Sequence, residues 1–218
     1  SWLSCEDFLE LLRSAKANKA TQRLRDLHRT GGDINRQIQS LPRIFPSAEF
    51  QKTVDGKMQM TQFNGVIALE LSGQSHDEAL SAAKYATSLL PFTLASFVGA
   101  QGNNVIVLVR VSRPDGSLPA DETAAGRFCE EAYPLAQAIY TVALGHTLRP
   151  VTSPDTENLL RCHFSLSFDE SLYYHPEASP LKIGNKSRLE AICPMVETLD
   201  EIEEKAHSLT ERMIRNLE

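Results

Sequence analysis

The sequence predicts an α+β domain built on a split β-α-β-β-α-β core, with helical extensions before and after it. Three observations predict it. Val66 to Leu71, Phe92 to Val98 and Val105 to Val111 are short apolar runs bounded by turn residues, the last rich in β-branched side chains. Two longer segments between and after them, 75–90 and 121–145, carry apolar residues at helical spacing. Leu159 to Leu166 alternates apolar and polar residues and reads as a fourth strand. The chain has 218 residues, 42% hydrophobic and 23% charged. That suits one structural domain with a buried core and excludes a disordered polyelectrolyte. The expected division is an N-terminal helical extension over 1–50, the α+β core over 51–181 and a helical tail over 182–218.

In chain order, Ser4 opens the first helix as a capping hydroxyl with Asp7 three residues on. Phe8, Leu11, Leu12 and Ala15 follow at helical spacing, and helix continues, with a break, through Leu24 and Leu27 until Gly31-Gly32 stops it. A short helical piece spans Ile34 to Ile38, and from Leu41-Pro42 past Pro46 the chain reads as irregular. Ser75-x-x-Glu78 is a capping box, after which Ala79, Ala82, Ala83, Ala86 and Leu90 mark one helix face. Gly99 with Gln101-Gly102-Asn103, and Arg113-Pro114-Asp115-Gly116, read as turns. In the second core helix Ala125, Phe128, Ala132, Leu135, Ile139 and Val142 share a face, and Pro134 is expected to kink or split it. An amphipathic helix from Met195 to Leu217 ends the chain.

Right-handed crossovers in this order place both core helices on one face of an antiparallel sheet, with the first and third strands central. Face parity then sorts the side chains. Ile67, Leu69 and Leu71, the odd-numbered valines from Val105 to Val111, and Leu160, Cys162, Phe164 and Leu166 point toward the helices. The other face is expected to be open and to gather Glu70, Ser72, Asn104, Arg110, Arg161 and His163. Two arginines beside a single carboxylate suit an anion such as phosphate better than magnesium, which wants hard oxygen donors around it. A Glu70–Arg161 salt bridge of purely structural role is the alternative. Cys162 and His163 point to opposite faces and cannot act as nucleophile and base. The face also lacks the aromatic pairs on which an RNA-recognition module stacks bases.

The formal net charge is −6, so the whole chain is no polycation. From Arg13 to Arg43, however, eight basic residues stand against two acids. Arg23, Arg29, Arg36 and Arg43 form either a solvated helix surface or a nucleic-acid-contacting arm. Cys5, Cys129, Cys162 and Cys193 show no Cys-x-x-Cys spacing, which favours buried free thiols in a reducing, cytoplasmic setting. No apolar run approaches membrane-spanning length, and no signal peptide is visible.

Several short segments, in order, resemble the VirE N-terminal-like domain of bacterial mobile-element proteins, which is similar to the catalytic palm of the archaeo-eukaryotic primase (primase-polymerase) superfamily. The resemblance covers about Gln37 to Leu181. Ser40-Leu41-Pro42-Arg43 and Phe50 are similar to that family's Lys-x-x-Leu-Pro opening and following aromatic. Gly65-Val66-Ile67-Ala68-Leu69-Glu70-Leu71-Ser72 lies where the family has glycine, an apolar run and Asp-x-Asp. Gly99 to Asn104 resembles its Ser-Gly-x-Gly turn followed by His or Lys. Arg161 to Ser165 and Phe168-Asp169 resemble its Arg-x-x-apolar-Ser and aromatic-Asp segments. The resemblance implies an RRM/ferredoxin-like, primase-palm-like core and a DNA-replication context, often beside a downstream or separate helicase- or primase-type ATPase region. It also implies that Glu70 takes the place of the first metal acid, Ser72 that of the second and Asn104 that of the basic residue. The third acid falls between Thr147 and Val151, with Arg149 the expected occupant.

These departures imply a catalytically degenerate module that binds single-stranded DNA or nucleotide through the open sheet face and needs no cofactor. The alternatives are an active nucleotidyltransferase holding Mg or Mn through Glu70 with Asp169 or Asp155, and a protein-interaction or scaffold domain. No membrane partner is expected.

Overall fold

The computed structural model describes residues 4–74, 76–151 and 158–184. The predicted Met195–Leu217 helix, Cys193, Asp155 and the Ser75 cap lie outside these residues. Helix α1 (Cys5–Arg13) begins on Ser4, whose hydroxyl accepts the Asp7 N–H at 3.0 Å. Ser14 ends α1 and caps α2 (Ala15–Arg29), accepting the Ala17 N–H at 3.2 Å. The expected break is therefore one serine between two helices. A short α3 (Asn35–Ser40) follows.

The stretch expected to be irregular holds three strands. β1 (Arg43–Ile44) precedes a hairpin of β2 (Ala48–Lys52) and β3 (Met58–Phe63), closed by a turn through Asp55-Gly56 with Gly56 at φ 86°. The core then runs β4 (Val66–Leu71), α4 (Asp77–Ser88), β5 (Thr93–Val98), β6 (Val105–Ser112) and α5 (Glu122–Leu144). It ends with β7 (Arg149–Pro150), a 3-10 turn over Leu159–Arg161, β8 (Phe164–Ser165), β9 (Tyr173–Tyr174) and β10 (Leu181–Lys182). His76 caps α4 through its Nδ1, which accepts the Ala79 N–H at 3.1 Å. The buried face of α4 is Leu80, Ala83, Lys84 and Thr87; of the predicted stripe Ala83 and Leu90 are buried, Ala79 and Ala86 half-buried and Ala82 exposed. α5 runs through Pro134 as one helix and stops at Gly145, which adopts φ 63°.

The chain is an α+β protein whose main sheet has the order β7-β4-β6-β5-β9, with antiparallel neighbours; β10 adds a parallel pairing to the end of β6. The predicted fourth strand does not join this sheet. Leu159–Arg161 coils into the 3-10 turn, and Phe164–Ser165 pairs with β1 instead. The place beside β4 belongs to the two-residue β7.

One core lies between the sheet and helices α4 and α5. Ile67, Leu69, Leu71 and the odd-numbered valines of β6 pack there against Phe128, Ala132, Tyr133 and Leu80. These faces match the parity reading.

The opposite face is not open, contrary to expectation. Ala68, Phe97, Ile106 and Leu108 are buried beneath Phe8, Leu9 and Leu12 of α1, with Phe164, Leu166 and Leu172 completing a second core. The physical reason lies in the strands themselves. Between their polar ends, β4 and β6 are apolar on both faces and β5 adds Leu94, Ala95 and Phe97 to the second, so leaving that face wet forfeits roughly 1.5–3 kcal/mol for each large side chain. Leu160 and Cys162 join the first core while Phe164 and Leu166 join the second, because the chain turns over between them. Among the described residues no helix is long and apolar enough to cross a membrane.

Candidate functional site

The polar residues of the second face do not form one patch. Glu70, Ser72, Asn104 and Arg149 meet at the C-terminal end of β4, held there by register: Glu70 lies opposite Arg149 of β7 and Ile106 of β6. Arg149 Nη2 donates to Ser72 Oγ at 3.0 Å, and Ser72 Oγ donates to Glu70 Oε1 at 2.9 Å. Asn104 Nδ2 donates to the same carboxylate oxygen at 2.9 Å. The Arg149 guanidinium stands 3.9 Å from Glu70, a contact made through the serine more than directly.

Backbone geometry sets these side chains. Gly73, at φ 81°, turns the chain so that the Gln74 N–H reaches the Asn103 carbonyl at 2.9 Å, tying the end of β4 to the β5–β6 turn. Asn104 is wedged against Gly99, where an added Cβ would lie 2.2 Å from its Oδ1. That Oδ1 is buried and has no protein partner.

One carboxylate, one hydroxyl, one amide and a guanidinium do not fit a divalent metal. The single anionic oxygen donor already accepts two hydrogen bonds, and the cation beside it competes for the same charge. Among the described residues no group of three His, Cys, Asp or Glu side chains is placed to hold a metal ion.

Asp169, expected as a metal ligand, is instead buried within a hydrogen-bond network. Its Oδ2 accepts from Lys84 Nζ at 2.7 Å and the Val98 N–H at 2.9 Å, and its Oδ1 from the Ser171 N–H at 3.0 Å and hydroxyl at 3.1 Å. Lys84 also donates to the Ser171 carbonyl and hydroxyl. Sequence reasoning missed Lys84, because a lysine on a helix reads as solvated unless its partner is known.

Arg110 donates to the Pro176 and Ala178 carbonyls, both at 3.1 Å, and clamps the chain after β9. Arg161 and His163 are placed with the β2–β3 hairpin and β1 instead of with Glu70. The Glu70–Arg161 bridge therefore does not form. Arg161 pairs with Glu122 at 2.7 Å and donates to the Met58 carbonyl at 2.9 Å, while His163 lies against Phe45. The Met60 N–H and, against the cost of desolvation, Arg161 hold the Glu122 carboxyl below its ordinary range.

Of the expected arm, Arg23, Arg36 and Arg43 are exposed, and Arg29 is exposed beside Asp26 at 3.4 Å. Their neighbour Arg25 has a structural task, donating to the Gly99, Ala100 and Phe168 carbonyls. Cys129 and Cys162 are buried free thiols; burial pushes Cys129 up to about 12 and raises Cys162 as well, so neither supplies a thiolate at neutral pH.

A protein-family model described as "BT4734-like, N-terminal domain" matches residues 36–174. The chain belongs to the BT4734-like N-terminal domain family. The matched region runs from α3 to β9 and contains the whole Glu70–Ser72–Asn104–Arg149 cluster; α1, α2 and β10 fall outside it. No curated protein and no solved structure matches the chain.

Proposed function

We propose that this chain is a catalytically degenerate, primase-like module of a mobile-element replication protein, bacterial and cytoplasmic, that associates with single-stranded DNA or nucleotide. One observation carries the reading. The three positions at which the resemblance places metal-binding acids, Glu70, Ser72 and Arg149, lie together at the end of β4, linked by hydrogen bonds. Their side chains are one acid, one alcohol and one fixed cation. On this reading a guanidinium stands where the resemblance places metal ions; it carries positive charge but cannot act as a Lewis acid toward a nucleophile. The sheet order β7-β4-β6-β5, with α4 and α5 packed on the same face, supports the split, palm-like topology that the resemblance implies.

On this reading nucleic acid does not lie across the sheet, since α1 covers it. Contact falls to the strand-end cluster and the basic helical arm. A template-primed extension assay with magnesium and with manganese tests the catalytic part. The wild type and Glu70→Ala are expected to match the protein-free blank. Incorporation by the wild type that Glu70→Ala abolishes overturns the reading. Anisotropy with a labelled oligothymidylate tests the binding part, with affinity expected to fall as salt rises.

A further inference from the structure

Away from the strand-end cluster, side chains from two segments distant in sequence, 43–50 and 161–163, form an aromatic and basic surface. Phe45, just beyond β1, is 39% exposed although it belongs to a ring cluster. Its ring lies 5.0 Å from the imidazole of His163 at 37°, and meets Phe50 edge-on at 5.9 Å. The Arg161 guanidinium sits 4.4 Å above the Phe50 ring and is locked there by Glu122 and the Met58 carbonyl. Arg43 opens β1, and Phe45 is the first residue past its end. Arg43 is exposed and makes no ion pair among the described residues.

The antiparallel pairing of β1 with β8 builds the arrangement. Arg43 faces Ser165 and Ile44 faces Phe164, and one step further along brings Phe45 beside His163. The hairpin missed by sequence reading supplies Phe50. An ordinary satellite cluster would bury its outermost ring; this one leaves that ring part-exposed and backed by an imidazole, with an exposed arginine two residues away along the chain.

We propose that Phe45, backed by His163 and flanked by Arg43, is a stacking seat for an unpaired nucleobase of a single strand, with Arg43 meeting an adjacent phosphate. This rests on the nucleic-acid reading above and adds to it a location and a mode of contact. A nucleobase has an apolar face for the ring and a neighbouring anion for the guanidinium, the combination that sequence-tolerant single-strand binders use.

The test is fluorescence anisotropy with a labelled oligothymidylate and an abasic oligomer of equal length, and dTMP as competitor. Phe45→Ala, assayed at a temperature below its lowered thermal midpoint so that it stays folded, should weaken oligothymidylate binding about tenfold or more. It should leave the weaker abasic binding unchanged. Phe45→Trp should retain binding, and its indole fluorescence should be quenched by the oligomer beyond any change at Trp2. Arg43→Gln should reduce the salt slope by about one. Competition by dTMP that is lost in Phe45→Ala would identify a free nucleotide as a second source of the same base. If Phe45→Ala binds oligothymidylate as the wild type does, or weakens both oligomers equally, the stacking seat is refuted while the nucleic-acid reading stands. Failure of the wild type to bind any oligomer at low salt overturns both.

Discussion

Asp169→Ala is the substitution that most sharply separates a structural carboxylate from a metal ligand. The side chains of Lys84 and Asp169 are 9% and 5% exposed, and their charged atoms are 2.7 Å apart. Removing the carboxylate leaves a buried ammonium with only the Ser171 carbonyl and hydroxyl, and strips acceptors from the Val98 and Ser171 N–H groups. Breaking a buried pair from one side costs about 3–5 kcal/mol. The Val98 amide belongs to β5, so the loss is felt by the main sheet. Lys84→Met should cost less, because the carboxylate keeps three donors from Val98 and Ser171. The double variant should be more stable than Asp169→Ala alone, since no buried charge remains. Urea unfolding of the four proteins, followed by far-UV circular dichroism, closes the cycle. A cost below about 1 kcal/mol for Asp169→Ala, or additive single costs, refutes the buried-pair argument. A manganese-dependent rise in the wild-type midpoint that Asp169→Ala removes would return this residue to the metal-ligand role.

Three further perturbations follow from the geometry. Gly99→Ala drives a methyl into the Asn104 side chain and should destabilise by about 1–3 kcal/mol, with Asn104 leaving Glu70, both checked by urea unfolding and a crystal structure of the variant. Leu12→Ala opens a cavity under α1 where the side chain is fully buried, and should cost about 2–5 kcal/mol in the same unfolding assay; a cost near zero would mean that α1 does not cover the sheet in solution. Glu122 has its carboxyl pKa lowered on folding, so its stabilisation is present above the ordinary value of 4.5 and is lost as pH falls through the lowered one. Glu122→Gln should therefore lower the unfolding free energy at pH 7 by less than about 1 kcal/mol for a pair one-third exposed, and that gap should shrink in acid; a gap constant from pH 7 to pH 3 in urea unfolding would contradict the assignment.

The central strands and helices were legible because their signals are long: β6 is eight residues rich in β-branched side chains, and α5 keeps a buried face from Ala125 to Tyr140, although Val142, expected on that face, is exposed. The β2–β3 hairpin was not, since β3 buries only Met60 and Phe63 and leaves its other four residues exposed. Its Asp55-Gly56 turn was the available signal. The alternation from Leu160 to Leu166 is real, but it serves two cores on either side of a turnover, which a single-face reading cannot represent. The same error displaced Arg161 and His163, whose placement followed from treating that stretch as a sheet strand. Glu70, Ser72 and Asn104 were located by parity on strands that do form, and Arg149 by the resemblance, so these four do meet. Parity also predicted a wet second face, because it asks which way a side chain points and not what else in the chain could cover it.

The helix that supplies the cover lies upstream of residue 36, where the family match begins. This chain trimmed to the matched boundaries would lose the α1 part of the roof over Ala68, Phe97, Ile106 and Leu108 and present a greasy slab to its neighbours. This chain cut at that border should be poorly soluble for that reason alone. Restoring some thirty preceding amino acids is the remedy that this architecture recommends.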